Sequence, residues 1–113
     1  MPRQARTSDD LTLMAQMGQR LRWVREILGK SQEQMAQAVG IDQTAWSHYE
    51  LGKRWPDIAQ AARIVAKLKI SLSFLLDGSL EGVERELAIQ LAAYHPELVL
   101  PRRKEPRMDS IQA

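Results

Sequence analysis

Apolar residues recur along this 113-residue chain at helical spacing, and no stretch shows the alternation of a strand. Met17, Leu21, Val24 and Leu28, separated by four, three and four positions, form one stripe that ends at Gly29. Ser8, Asp9 or Asp10 is placed to cap an extension of that helix toward the N-terminus, containing Leu13 and Met14. From Ser31 to Gly52 the sequence SQEQMAQAVGIDQTAWSHYELG divides into two short helices. Ser31 with Gln34 fits a capping box, Gly40 fits the left-handed residue that stops a helix, and Asp42 caps a second helix running to Leu51 and closed by Gly52. After Lys53-Arg54-Trp55-Pro56, Asp57 caps a helix whose stripe is Ile58, Ala61, Ala62, Val65 and Leu68. Ser71 caps a last short helix, LSFLL, stopped at Asp77-Gly78. Beyond these five elements, Leu80, Val83, Leu87, Leu91 and Tyr94 predict a further amphipathic helix over about 80–95, ended by His95-Pro96. The fold class expected is all-α.

Composition narrows what such a chain does. Hydrophobic content of 44% with 27% charged residues suits a soluble globular domain, and 5% aromatic content makes the core mainly aliphatic. The absence of cysteine excludes a disulfide framework and a cysteine-based metal site. Apolar runs are far too short for a membrane span, and residues 1–10 lack the apolar stretch of a signal peptide, so a cytoplasmic protein is expected. The net charge of +2 conceals a division: residues 17–76 carry nine bases against five acids, whereas residues 77–100 carry five acids against Arg85. An acidic appendage therefore masks a basic domain. His48 and His95 have no cysteine, paired carboxylates or phosphate-binding loop beside them, so no enzyme, metal site or cofactor is expected.

Two short helices crossing through a glycine turn are a helix-turn-helix. The five helices, the Ser31-Gln32 start, the Gly40 turn, the Glu50-x-Gly-Lys-Arg ending and the closing ISLSFLLDG together resemble the lambda-repressor-like, XRE-type family of phage Cro and repressor proteins. The resemblance covers 62 residues, 17–78. It implies a five-helix DNA-binding domain over 17–78, with an N-terminal arm or helix extension at 1–16. An additional C-terminal helix at 79–100 and a basic, disordered tail at 101–113 complete the expected organisation.

Helical geometry places Gln43, Thr44, Ser47, His48 and Leu51 on one face of the second motif helix, with Trp46 and Tyr49 turned to the core. The resemblance implies that this face enters the major groove of double-stranded DNA, with Gln43 pairing to an adenine, Thr44 reaching a base or a thymine methyl, and Ser47 and His48 lying further along. It also implies phosphate contacts from Gln32, Lys53 and Arg54, and a buried ion pair between Arg25 and Glu50. Leu51 departs from the family, where a polar residue is common, and is expected to meet an apolar feature such as a thymine methyl. Trp23 lies off the stripe of its helix, open to a partner contact or to partial burial. Trp55 is expected to pack on Pro56 or to lie at a dimer contact. Lys69, standing where most relatives have glycine, points to a slightly different turn.

The apolar face of the C-terminal helix must be covered, either by its own domain near Trp23 or by the same helix of a second subunit. The expectation taken here is a homodimer through Leu80, Val83, Leu87 and Leu91, doubling the base contacts on a palindromic site. The leading functional reading is a bacterial or phage-encoded transcriptional regulator, a repressor, because no effector domain follows. The alternatives are an antitoxin that autoregulates its promoter and covers a toxin with its tail, and a protein-interaction module that retains the fold.

Overall fold

A computed structural model describes residues 8–101. Within them the regular structure is entirely helical: α1 Ser8–Ile27, α2 Gln32–Val39, α3 Gln43–Glu50, α4 Ile58–Leu68, α5 Leu72–Asp77 and α6 Arg85–Tyr94. The expected behaviour of the ends, 1–7 and 102–113, lies outside the described residues. No helix among the described residues is long and apolar enough to cross a membrane.

Local chemistry sets most helix ends. Ser31 accepts from the Gln34 amide while the Gln34 side chain accepts from the Ser31 amide, closing the capping box of α2. Asp42, Asp57 and Ser71 cap α3, α4 and α5 through the amide three residues on. Each cap satisfies a backbone donor that has no partner inside its helix, a contribution of about 1 kcal/mol. Gly40 ends α2 in the left-handed conformation, and Arg63 of α4 donates to the Gly40 carbonyl at 3.2 Å. Lys69 ends α4 with φ 57° and ψ 42°, so the turn keeps the left-handed conformation that glycine favours, and a lysine bears it.

The core gathers Met17, Leu21 and Val24 of α1 with Met35, Val39, Trp46, Tyr49, Ile64, Phe74 and Leu75. α1 packs against α3, α5 and α6, while α2 packs against α3 and α4. Three stripes differ from expectation. Leu28 falls in the turn after α1 and is exposed. On α4 the buried residues are Ile64 and Leu68, and Ile58 stands 89% exposed. The apolar pattern of α4 wraps around more than one face, and only its Ile64 side meets the core. The C-terminal helix starts at Arg85 rather than near residue 80, because Gly82 takes φ 82° with its Cα close against Ser71. A Cβ there would stand 3.1 Å from the Ser71 Cβ in a backbone conformation that side chains rarely adopt.

Leu80, Val83, Leu87 and Leu91 are all buried in the chain's own core, each at 9% exposure or less. The dimer expected through these four residues is therefore corrected: the apolar face is used up by α1 and its neighbours within one chain. Burial of side chains of this size contributes about 1.5–3 kcal/mol each, more than a second subunit could offer an already covered face. Tyr94, the last residue of the expected stripe, points to solvent at 73% exposure. Trp23 covers the other end of the docked helix, its ring stacked on His95 with centroids 3.8 Å apart.

α6 is tied down by polar contacts as well. The Glu84 amide donates to the Lys69 carbonyl at 2.8 Å, and the Glu84 carboxylate accepts from the Leu87 and Glu86 amides. Those two amides, Leu87 first, hold the Glu84 carboxyl below the usual glutamate range. A carboxyl depressed in the folded state contributes stability present above its unfolded pKa and lost as pH falls through the folded value. In an acid titration followed by NMR, the Glu86 and Leu87 amide resonances are expected to shift together at a pH below the ordinary glutamate value. Glu84→Gln is expected to abolish that shared titration.

Candidate nucleic-acid interface

The exposed side of the helix-turn-helix is built from the N-terminus of α2, the outer face of α3 and the loop after it. Asp42 caps α3 at the end that carries Gln43 and Thr44, both exposed. Ser47 and His48 lie a turn further on and are half-buried, while Leu51 at the helix end is 60% exposed. The opposite face is anchored: Ala45, Trp46 and Tyr49 are buried. One helix thus presents polar hydrogen-bonding groups outward and aromatic mass inward, a surface able to meet donors and acceptors of varied pattern.

Glu50 fixes the C-terminal end of α3. Its carboxylate, with the side chain 3% exposed, accepts from Arg25 Nε at 2.6 Å and Nη2 at 3.1 Å, from Gln32 Nε2 at 3.2 Å, and from the Trp46 indole Nε1. Arg25 also donates to the Lys30 carbonyl, joining the α1–α2 turn to the same cluster. The Glu50 contact, aided by the charge of Glu50 and opposed by partial burial, raises the Arg25 pKa further. α1, the start of α2 and the end of α3 therefore meet at one carboxylate. Gln32 sits at that junction, half-buried, with one amide hydrogen committed to Glu50 and the rest of its amide group near the surface.

Lys53 and Arg54 follow the Gly52 turn and are exposed. The Arg54 guanidinium lies over the Tyr49 ring, 5.9 Å from its centroid, which orients a long side chain at little cost. Burial raises the Tyr49 hydroxyl pKa, an effect that Arg54 partly opposes and Asp57 adds to. The site residues named from sequence thus fall into two places. Gln43, Thr44, Ser47, His48, Lys53 and Arg54 lie along or just beyond α3, and Gln32, Arg25 and Glu50 meet beneath its C-terminal end. Leu80, Val83, Leu87 and Leu91 belong to the core and take no part.

Three contributors escaped the sequence reading. Gly18, inside α1, is buried where the backbone of α3 crosses, and a Cβ there would lie against the Tyr49 carbonyl and 2.5 Å from the Glu50 carbonyl oxygen. A glycine within a helix was the available signal, since it is costly there unless something requires it. Trp46 adds an indole donor to Glu50 four residues on, a contact that helical spacing permits but does not specify. Arg20 donates to the Leu75 carbonyl at 2.9 Å, securing α5 to α1; burial lowers its pKa and the charge of Asp77 partly restores it.

Residues 18–81 match the helix-turn-helix domain family. The chain is also similar to the SPbeta prophage-derived uncharacterized HTH-type transcriptional regulator YonR of Bacillus subtilis (strain 168), with 37% identity over 62 residues. That match covers 55% of this chain and 57% of the relative, so the chain spans little more than half the length of the curated protein it matches. No solved structure matches. The family is not enzymatic. With a match over more than half its length, running from the buried Gly18 of α1 past the end of α5, the chain belongs to the helix-turn-helix domain family.

Proposed function

We propose that the protein is a sequence-specific DNA-binding transcriptional regulator, a repressor that occupies a palindromic operator as a dimer with α3 in the major groove. The observation that carries this reading is the outer face of α3. Its polar Gln43, Thr44, Ser47 and His48 lead along the helix to a C-terminal end where the Gln32–Glu50 junction and the exposed Lys53 and Arg54 follow one another. Gln43 is suited to a bidentate pair with an adenine edge, and Thr44 to a base or a thymine methyl. Gln32, Lys53 and Arg54 are suited to phosphate, which fixes register without reading sequence. Family membership and the name of the Bacillus subtilis relative support the same reading. Occupancy of a promoter by such a protein is itself enough to repress.

Selection from a random duplex library identifies the operator, and two substitutions then separate reading from anchoring. Gln43→Ala is expected to lose ~1–3 kcal/mol on the selected site and to relax preference at one base pair. Arg54→Ala is expected to weaken selected and random DNA alike and to reduce the log–log salt slope by about 1. Equal effects of both substitutions on selected and random DNA, or a library that yields no preferred sequence, would overturn the proposal.

A further inference from the structure

The last turns of α1 and α6 share a cavity of roughly 420 Å³. Its lining is Trp23, Glu26 and Ile27 of α1, Gln90 and Tyr94 of α6, and His95, which caps α6. Trp23 and His95 are stacked with centroids 3.8 Å apart and planes 21° from parallel, and the His95 amide donates to the Leu91 carbonyl. That aromatic wall is therefore in place before anything binds. Among the described residues, no lysine or arginine lines the cavity.

We propose that this cavity binds a small organic cation of the alkylguanidinium type, which no part of the DNA-reading face requires. Several features favour the same sign of charge. Aromatic rings attract a cation through their quadrupole, and a guanidinium, planar and weakly hydrated, stacks on them. Glu26 supplies a carboxylate. Its ion pair with Arg22 spans 3.8 Å and both side chains are more than half exposed, so the pair is weak and a ligand cation can take Arg22's place. Gln90 donates to Glu86 at 3.4 Å, which leaves its side-chain carbonyl oxygen to accept from a guanidinium N–H. Both helices contribute their C-terminal turns, where unpaired carbonyls gather the negative end of the helix dipole. Glu97, 3.9 Å from the His95 Nδ1, adds a second carboxylate beside the rim. Ile27 offers an apolar surface to the alkyl part. An anion meets the opposite of each charged feature, and a neutral ligand of the same shape keeps the ring contacts alone. The volume falls within the roughly 300–1,000 Å³ of small-molecule sites. Because the two walls come from α1 and α6, the bound cation clasps the C-terminal helix to the first.

The test is a titration of the isotope-labelled full chain with n-butylguanidinium and with its neutral isostere n-butylurea, followed by NMR. The guanidinium is expected to shift the Trp23 indole and Gln90 side-chain amide resonances to saturation in the millimolar range, and the urea to bind at least about tenfold more weakly. Glu26→Gln is expected to remove most of that preference while leaving the unfolding midpoint unchanged, because the Glu26 side chain is 54% exposed. Tyr94→Ala, at a position 73% exposed, is expected to weaken guanidinium binding severalfold. Equal binding of the urea and the guanidinium would overturn the proposal, as would a Glu26→Gln chain that keeps the parent's preference. So would shifts that never saturate or that centre away from Trp23 and Gln90, the mark of loose attraction to an acidic surface.

Discussion

Replacing Glu50 with alanine is expected to cost about 3–5 kcal/mol in stability, the largest loss of any single polar substitution in this fold. The carboxylate is nearly inaccessible and carries four hydrogen bonds, from Arg25, Gln32 and Trp46. Its removal leaves the Arg25 guanidinium, with a side chain only 16% exposed, without its counter-charge, together with an indole and an amide donor that lose their acceptor. The penalty of the orphaned charge exceeds the net worth of the pair, because both partners already gave up water to meet. The double substitution Arg25→Met with Glu50→Leu is accordingly expected to recover much of the loss. Urea unfolding of the three chains checks this, and a double variant no more stable than Glu50→Ala would place the cost elsewhere.

Gly18→Ala is expected to destabilise by about 2–3 kcal/mol, although alanine is the better helix former by about 1 kcal/mol. The two effects have opposite signs, and geometry decides between them. The added methyl would meet the Tyr49 and Glu50 carbonyls, which are backbone atoms and cannot rotate aside. Relief requires α1 and the end of α3 to separate, disturbing the junction at Glu50. A rise in the unfolding midpoint, as propensity alone predicts, would show that the crossing has room to open.

What the sequence made legible was governed by local rules. Ser31, Asp42, Asp57 and Ser71 act within three residues of themselves, so their spacing alone located four helix starts. The Arg25–Glu50 pair came from the resemblance, since no local rule links residues 25 positions apart. Orientation was harder to read. The apolar residues of α4 fill more than one face, and periodicity could not say that Ile64 rather than Ile58 turns inward. The early start expected for the last helix overlooked Gly82, whose conformation answers to Ser71 across the chain. Gly18 escaped the sequence reading because its reason lies on the backbone of another helix.

The family match stops at residue 81, yet Val83, Leu87 and Leu91 lie in the same core as Met17 and Phe74. The helix beyond the match is thus no detachable module. Melting of α6 would strip cover from α1, so the described helices are expected to unfold together. Sequence drift in this C-terminal segment then alters the half-life of the whole chain against proteolysis, and with it the amount of protein present, while leaving every outward residue of α3 unchanged.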